Sequence, residues 1–214
     1  MSVTSRAQTA RAEDRRRGTR RSVFRRRMVA LGAFIALIVA AVLIAPLARR
    51  TIRHFTLPLE YSAIIRQQAA EKHLDPALIA AVIYAETRFR PRTSPTGAKG
   101  LMQIEPYTAE FLARRSGAST FTVADLGTPQ VNIAYGSYYL HYLMDEYGGS
   151  KVLALAAYNG GETNVDDWLR TARARHQNFT IGAIPISQTR AYVTEVLSKQ
   201  RAYRSSYASQ LGYS

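Results

Sequence analysis

The sequence predicts an all-α domain over residues 59–206, preceded by a single N-terminal transmembrane helix. Three observations carry that expectation. From Leu59 onward, apolar residues recur at helical spacing. No stretch alternates convincingly with period two, as a half-buried strand does. Ahead of this region stands an uncharged run long enough to cross a bilayer.

Residues 1–27 hold ten Arg against Glu13 and Asp14, so they carry +8 of the chain's net +14. Such a run reads as a solvated tail near anionic lipid headgroups. It lacks the interleaved aromatics of a nucleic-acid arm, so no nucleic-acid partner is expected. Residues 28–48, MVALGAFIALIVAAVLIAPLA, contain no charge. As a helix they span about 31 Å, enough for a hydrocarbon core, and the lipid bilayer is their expected partner. A cleaved secretory signal has a shorter apolar stretch and a small-x-small site, which APLA before Arg49 imitates poorly. An uncleaved, single-pass anchor is therefore expected. The Arg excess before the span places the N-terminus in the cytoplasm and residues 49–214 on the outer side of the cell membrane. TRRSVF has the paired Arg of a twin-arginine export signal, but Val23 stands where that signal has an aromatic residue.

Residues 49–58 read as a tether ending at Pro58. Tyr61, Ile64, Ile65 and Ala69 then fall on one helical face. Asp75-Pro76 is a helix start, with Asp as N-cap and Pro at the first position, and the helix continues through ALIAAVIYAET to near Arg88. Further helices are expected after Pro106 as far as Gly117, and from Pro129 to Tyr147 before Gly148-Gly149. Another runs from its Ser150 cap to Gly160-Gly161, followed by NVDDWLRTARA and SQTRAYVTEVLSKQRAY. Residues 173–185 read as a surface loop and 207–214 as a C-terminal tail. The absence of Cys excludes disulfides and thiolate metal sites, and nothing in the sequence calls for a metal or cofactor.

The chemistry gathers around Glu86. On the helix from Asp75, Leu78, Val82 and Ala85 form an apolar stripe, and Glu86, four residues after Val82, lies beside it. A carboxylate there is paired with Arg88 or Arg90, open to water at the helix end, or desolvated. Desolvation raises its pKa and keeps it protonated near neutrality, as a general acid requires. The loop SPTGAKGLMQ follows, with Gly97 and Gly100 permitting close backbone approach and Ser94 and Gln103 offering polar side chains. AAYNGG brings Tyr158 and Asn159 to a helix end, where Asn and Gly also serve as a plain stop and the Tyr as core.

Glu86 with TRFRP, then SPTGAKGLMQ, DLGTPQVNIAYGSYYL, ALAAYNGG and QTRAYV, in that order, resembles the bacterial lytic transglycosylase domain of the soluble (SLT) type. The resemblance extends over most of residues 60–205 and implies a goose-lysozyme-like fold. It implies that Glu86 is the catalytic acid/base and that Ser94 and Gln103 line a glycan groove. It further implies that the Tyr158 hydroxyl positions the acid and binds substrate, with Asn159 beside it. Asn132, Gly97 and Gly100 match structural positions. Two residues depart from the family pattern: Glu105 replaces a Met that faces the sugar site, and Gln188 replaces a Glu in the last block.

The resemblance implies action on peptidoglycan glycan strands. The acid protonates the glycosidic oxygen after N-acetylmuramic acid, and the sugar's N-acetyl oxygen supports the anomeric carbon. The resulting carboxylate then takes a proton from the carbon-6 hydroxyl, which closes a 1,6-anhydro ring without added water. The net charge of +6 left outside residues 1–27 (14 − 8) suits an anionic wall polymer, and the thirteen Tyr offer stacking surfaces for sugars. Two other readings remain at this point. One is a water-using muramidase with Glu105 or Glu162 activating the water. The other is a wall-binding module without catalysis.

Overall fold

The computed structural model describes residue 38, residues 40–45 and residues 56–213. The chain divides into two units, Met1–Phe55 and Thr56–Ser214. In the first, residues 40–45 are helical, and Ile38, Val42, Leu43 and Ile44 are exposed. The tail 1–27 and the rest of the expected span 28–48 lie outside the described residues. Among the described residues, no helix is long and apolar enough to cross a membrane.

In the second unit, seven α-helices form close to their expected positions: α1 Ser62–Glu71, α2 Pro76–Thr87, α3 Pro106–Ser116, α4 Pro129–Glu146, α5 Lys151–Gly160, α6 Glu162–Ala174 and α7 Ser187–Ser206. The caps act as their residue types require. Asp75 accepts from the Ala77 amide at 2.9 Å, and Ser150 accepts from Leu153 at 3.4 Å. Gly117 takes the left-handed conformation that ends α3. The surface loop 173–185 contains one 3-10 turn, Ile181–Ala183, and a second turn, Val123–Gly127, leads into α4.

Three expectations need correction. The unit is not wholly helical: Arg92–Thr93 and Lys99–Gly100 pair as an antiparallel hairpin, β1 and β2. Two-residue strands are too short to show a period in sequence. Second, α2 has no apolar stripe with a polar back. Every residue from Ala77 to Tyr84 is buried, because α1 and α7 pack along it and it runs through the core. A helix apolar all round is a buried helix, and Glu86 stands at its C-terminal end.

Third, the segments read as tether and tail are partly built into the domain. Leu57, Tyr207 and Leu211 are buried. Three Tyr hydroxyls donate to successive carbonyls: Tyr84 to Thr56 at 3.2 Å, Tyr207 to Leu57 at 2.7 Å and Tyr203 to Pro58 at 2.5 Å. At the other end, the Tyr213 hydroxyl bonds the Asp75 carboxylate, which also accepts from Gln200 at 2.6 Å and Arg204 at 3.0 Å. Apart from the Tyr84–Thr56 bond, these contacts span more than a hundred residues of chain and leave no local pattern to read.

Burial pushes the Asp75 carboxyl upward. The hydrogen bonds from Tyr213, Gln200 and the Ala77 amide, with the Arg204 charge, outweigh it and hold the pKa below the ordinary value. A depressed carboxyl stabilises the fold above its unfolded pKa and loses that contribution as pH falls through the folded one. Asp75→Ala is therefore expected to cost about 1–2 kcal/mol near neutrality. The deficit should shrink on acidification. Urea unfolding at several pH values checks this, and a deficit independent of pH would contradict the account.

Candidate active site

The site is built on the closed loop between β2 and α3. Lys99 and Ile104 exchange both backbone hydrogen bonds at 3.0 Å, so Gly100 to Gln103 form a tight turn with Leu101 and Met102 inward and buried. Three helices pin it. From α2, the Thr87 hydroxyl donates to the Leu101 carbonyl at 2.7 Å. From α4, buried Asn132 accepts from the Met102 amide at 2.8 Å and donates to the Lys99 and Leu126 carbonyls at 2.8 and 3.1 Å. From α5, the Tyr158 hydroxyl donates to the Met102 carbonyl at 2.8 Å. Gly100 has φ +78, and a Cβ there would meet Asn132 Nδ2 at 2.1 Å and the Leu126 carbonyl oxygen at 2.6 Å.

Glu86 lies one residue before the Thr87 pin. It is half-buried by accessible surface, yet the protein packed around its carboxyl makes desolvation the dominant influence. Burial raises its pKa to about 7, against the opposing effects of the Tyr192 hydroxyl and the Arg92 charge. Arg92 also donates to the Glu86 backbone carbonyl at 2.9 Å. Arg88 and Arg90 form no ion pair with Glu86 among the described residues. The Tyr192 hydroxyl is buried beside the carboxyl but falls short of full hydrogen-bond geometry with it. Tyr158 and Tyr192 are both pushed well above the ordinary phenol range, by burial first and then by the Glu86 charge. Both rings therefore border the acid as neutral phenols.

A groove of about 190 Å³ is lined by Gln103, Glu105, Thr108, Tyr139, Tyr158 and Asn159 among others, and Glu86 is not part of its lining. Tyr158 belongs to both places, since it lines the groove and feels the Glu86 charge. Gln103, at φ +49, gives its amide nitrogen to the Arg92 and Gly100 carbonyls at 2.9 and 2.8 Å. Its carboxamide oxygen is the atom left to accept from a ligand. Ser94 sits in the hairpin turn, where its hydroxyl accepts from the Ala98 amide at 3.0 Å and meets Thr96 at 2.8 Å. The Thr96 hydroxyl donates to Glu105 at 3.1 Å, which connects Ser94 to the groove rim. Glu162, the other candidate second acid, accepts from the Tyr142 hydroxyl at 3.0 Å.

The Tyr158 hydroxyl has a different partner from the one the resemblance implies. The resemblance implies that Tyr158 orients Glu86; its hydroxyl donates to the Met102 carbonyl instead, and Tyr192 is the phenol whose hydroxyl lowers the Glu86 pKa. Gln188, which the resemblance places among the substrate contacts, is exposed on the first turn of α7. Sequence reasoning also passed over Arg92, Tyr139 and Tyr192. A Tyr within a helical apolar pattern reads as core, and Tyr192 is indeed buried; only its neighbour reveals its use. Among the described residues no group of His, Asp and Glu is placed to hold a metal ion.

A desolvated, protonatable Glu at a helix end, linked through Tyr158 to a groove that Gln103 of a pinned Gly-Leu-Met-Gln turn also lines, is the arrangement to compare with known proteins. The pattern of the family described as Transglycosylase SLT domain matches residues 63–181, more than half of the chain. The chain belongs to the SLT transglycosylase domain family. This SLT domain is 32% identical over 150 residues to the soluble lytic murein transglycosylase of Escherichia coli (strain K12), covering 69% of this chain and 23% of that protein. It is 36% identical over 131 residues to membrane-bound lytic murein transglycosylase F of Haemophilus influenzae (strain PittEE), covering 58% of this chain and 24% of the relative. Among solved structures, the 70 kDa soluble lytic transglycosylase from Escherichia coli superposes with a TM-score of 0.66 at 30% identity, over 71% of this chain and 25% of that one. An inactive mutant of lytic transglycosylase Slt from Pseudomonas aeruginosa gives 0.65 at 31% identity, over 72% and 25%. The SLT domain therefore has the mostly helical, lysozyme-like transglycosylase fold. The chain spans about a quarter of the length of these relatives.

Proposed function

We propose that this chain is a peptidoglycan lytic transglycosylase, held at the membrane by residues 28–48 with its SLT domain on the outer side. The observation that carries the chemistry is the Glu86 carboxyl, raised by burial to about 7 and linked to the groove through Tyr158, which lines the groove and feels the Glu86 charge. Such a group is protonated in a useful fraction of molecules near neutrality, and it ionises as readily once its proton is spent. It can therefore give a proton to the glycosidic oxygen between N-acetylmuramic acid and N-acetylglucosamine as that bond breaks. The substrate's N-acetyl oxygen supports the electron-poor anomeric carbon. Glu86, now a carboxylate, takes the proton of the carbon-6 hydroxyl, and that oxygen bonds the anomeric carbon. The strand ends in 1,6-anhydromuramic acid, Glu86 is protonated again, and no water is consumed. The relatives bear names that state this activity, and some are described as membrane-bound.

Within this scheme Gln103 and Asn159 hydrogen-bond the sugar, Tyr139 and Tyr158 offer their rings, and Ser94 orders the rim through Thr96. Tyr192 is the positioning residue for Glu86, and Arg92 keeps its pKa from rising further. Incubation of purified peptidoglycan with the chain in heavy-oxygen water tests the reaction. Anhydro ends without label are expected. Labelled, reducing muramic ends would replace the proposal with hydrolysis. Glu105, on the groove rim, would then be the base to test by Glu105→Gln. An absence of cleavage would leave a wall-binding module.

The two phenols separate by experiment. Tyr192→Phe removes a hydroxyl that favours the Glu86 carboxylate, so the Glu86 pKa should rise and the alkaline fall of kcat/KM should move to higher pH. Tyr158→Phe leaves the buried Met102 carbonyl without its donor and should cost about 1–3 kcal/mol of stability. Paired pH profiles and thermal unfolding check both. An unshifted profile for Tyr192→Phe would return that residue to the core.

A further inference from the structure

Glu105 is the only residue lining the groove that carries a formal charge. It stands at the N-cap of α3, where a side-chain oxygen ordinarily accepts from the first amides of the helix. Its carboxylate makes no such bond. Instead Oε1 accepts from the Thr96 hydroxyl at 3.1 Å. Thr96 has given its proton there, so the Ser94 hydroxyl donates to Thr96 at 2.8 Å, and Ser94 in turn accepts from the Ala98 amide at 3.0 Å. The hairpin turn thus holds the carboxylate at the groove through a chain of bonds that all run one way. Among the described residues Glu105 forms no ion pair. Oε2 is the oxygen left for a ligand.

A fixed carboxylate in an otherwise uncharged groove selects by charge. A strand of alternating amino sugars offers it two kinds of ring. In the proposed reaction the muramic residue must keep its N-acetyl group, whose oxygen supports the anomeric carbon. The glucosamine nitrogen takes no part. Tyr158 joins the groove to Glu86, so the ring that reaches Glu105 neighbours the reacting muramic residue, and by alternation it is glucosamine. As an acetamide, that ring brings only neutral donors to the carboxylate. As a free amine it brings an ammonium, which makes the stronger, charge-assisted hydrogen bond. We propose that Glu105 makes the groove selective for strands whose glucosamine beside the cleaved bond carries a free amine. Glu105 is then a specificity-determining residue, and the reaction class that supplies the preferred strand is hydrolysis of the glucosamine acetamide, which takes up water and releases acetate. The inference rests on the glycan-cleaving reading for its substrate, but the charge selection can be measured apart from cleavage.

The cleavage arm gives the full chain, in detergent and at mildly acidic pH, two peptidoglycan preparations in competition. One has acetylated glucosamine; the other has glucosamine freed of its acetyl groups with the muramic N-acetyl groups intact. Exposed ion pairs are weak, so wild type should favour the free-amine strands by only about fivefold in kcat/KM at low salt. The preference should fade at high salt. Glu105→Gln keeps an oxygen for Thr96 to donate to and should bring the ratio close to unity, and Glu105→Lys should invert it. A wild type indifferent to the amine, or a preference that Glu105→Gln retains, would overturn the proposal. The binding arm titrates the tetramer of glucosamine, fully acetylated or with free amines, into the same chain by calorimetry. The free-amine tetramer should bind about fivefold more tightly to wild type and lose that margin in Glu105→Gln. Equal affinities in wild type would also count against the selection. Wild-type chain that shows the margin but cuts neither strand would instead overturn the glycan-cleaving reading and leave the charge selection standing.

Discussion

Glu86→Gln is expected to reduce glycan cleavage at or beyond the upper end of the ~10²–10⁴-fold loss that follows removal of a general acid or base. Both proton transfers in the proposed scheme use this one group, and the amide can neither donate nor accept in its place. The shape is nearly preserved, so the fold should survive. Its stability should even rise, with a specific pH signature. The wild-type carboxyl has its folded pKa raised from 4.5 to about 7. Below the lower value both states are protonated and the group contributes nothing to the pH dependence. Between the two values the unfolded chain ionises while the folded one resists, so the fold loses stability as pH rises. Above about 7 the penalty is constant. Glu86→Gln should therefore gain on wild type progressively across that window and then hold its advantage. The activity of the wild type should fall about tenfold per pH unit above the Glu86 pKa, as the acid form is depleted. Initial rates and denaturant unfolding over one pH series measure both. Near-normal cleavage by Glu86→Gln would end the catalytic assignment.

Gly100→Ala should have the largest effect on folding of any single-methyl addition considered, roughly 3–4 kcal/mol. The new carbon would press on Asn132 Nδ2 and on the Leu126 carbonyl oxygen, and φ +78 is strained for any residue with a Cβ. Relief by moving Asn132 breaks its bonds to Lys99, Leu126 and Met102 together. Gly97→Ala has a similarly positive φ, but its nearest neighbour is Pro106 Cγ at 3.9 Å. It should cost only the conformational part, ~1 kcal/mol. Chemical denaturation of the two variants side by side separates crowding from backbone strain. Equal losses would show that the Asn132 contact yields easily.

Much of the helical framework was legible because its signals are local. Asp75-Pro76, Ser150, Gly117 and the double glycines act within one helical turn, and each marks an observed boundary. Glu86 was legible as an unusual acid because its surroundings on α2 are apolar. What could not be read depends on residues far apart in the chain. Tyr192, whose hydroxyl influences Glu86, lies more than a hundred positions later, and nothing in QTRAYV distinguishes a phenol near a carboxyl from one filling core. The Tyr158 bond to Met102 follows from how α5 meets the turn, a matter of tertiary packing. The hairpin at Arg92–Thr93 escaped because two paired residues have no periodicity. The docked C-terminal segment looked like a tail because its anchors, Asp75 and Arg66, lie near the start of the domain.

The Met102 amide illustrates a consequence of how the Gly100–Gln103 turn is held. Its hydrogen bond is to buried Asn132 of α4, and the carbonyl of the same residue is bonded from Tyr158 of α5. No small fluctuation frees either group, so hydrogen–deuterium exchange there should proceed only through opening of the whole domain. The turn is thus as slow to open as the core itself. For the glycan strand of the proposed function, the turn is a fixed template that loses no ordering entropy on binding. The same rigidity ties the lifetime of the site to the lifetime of the fold.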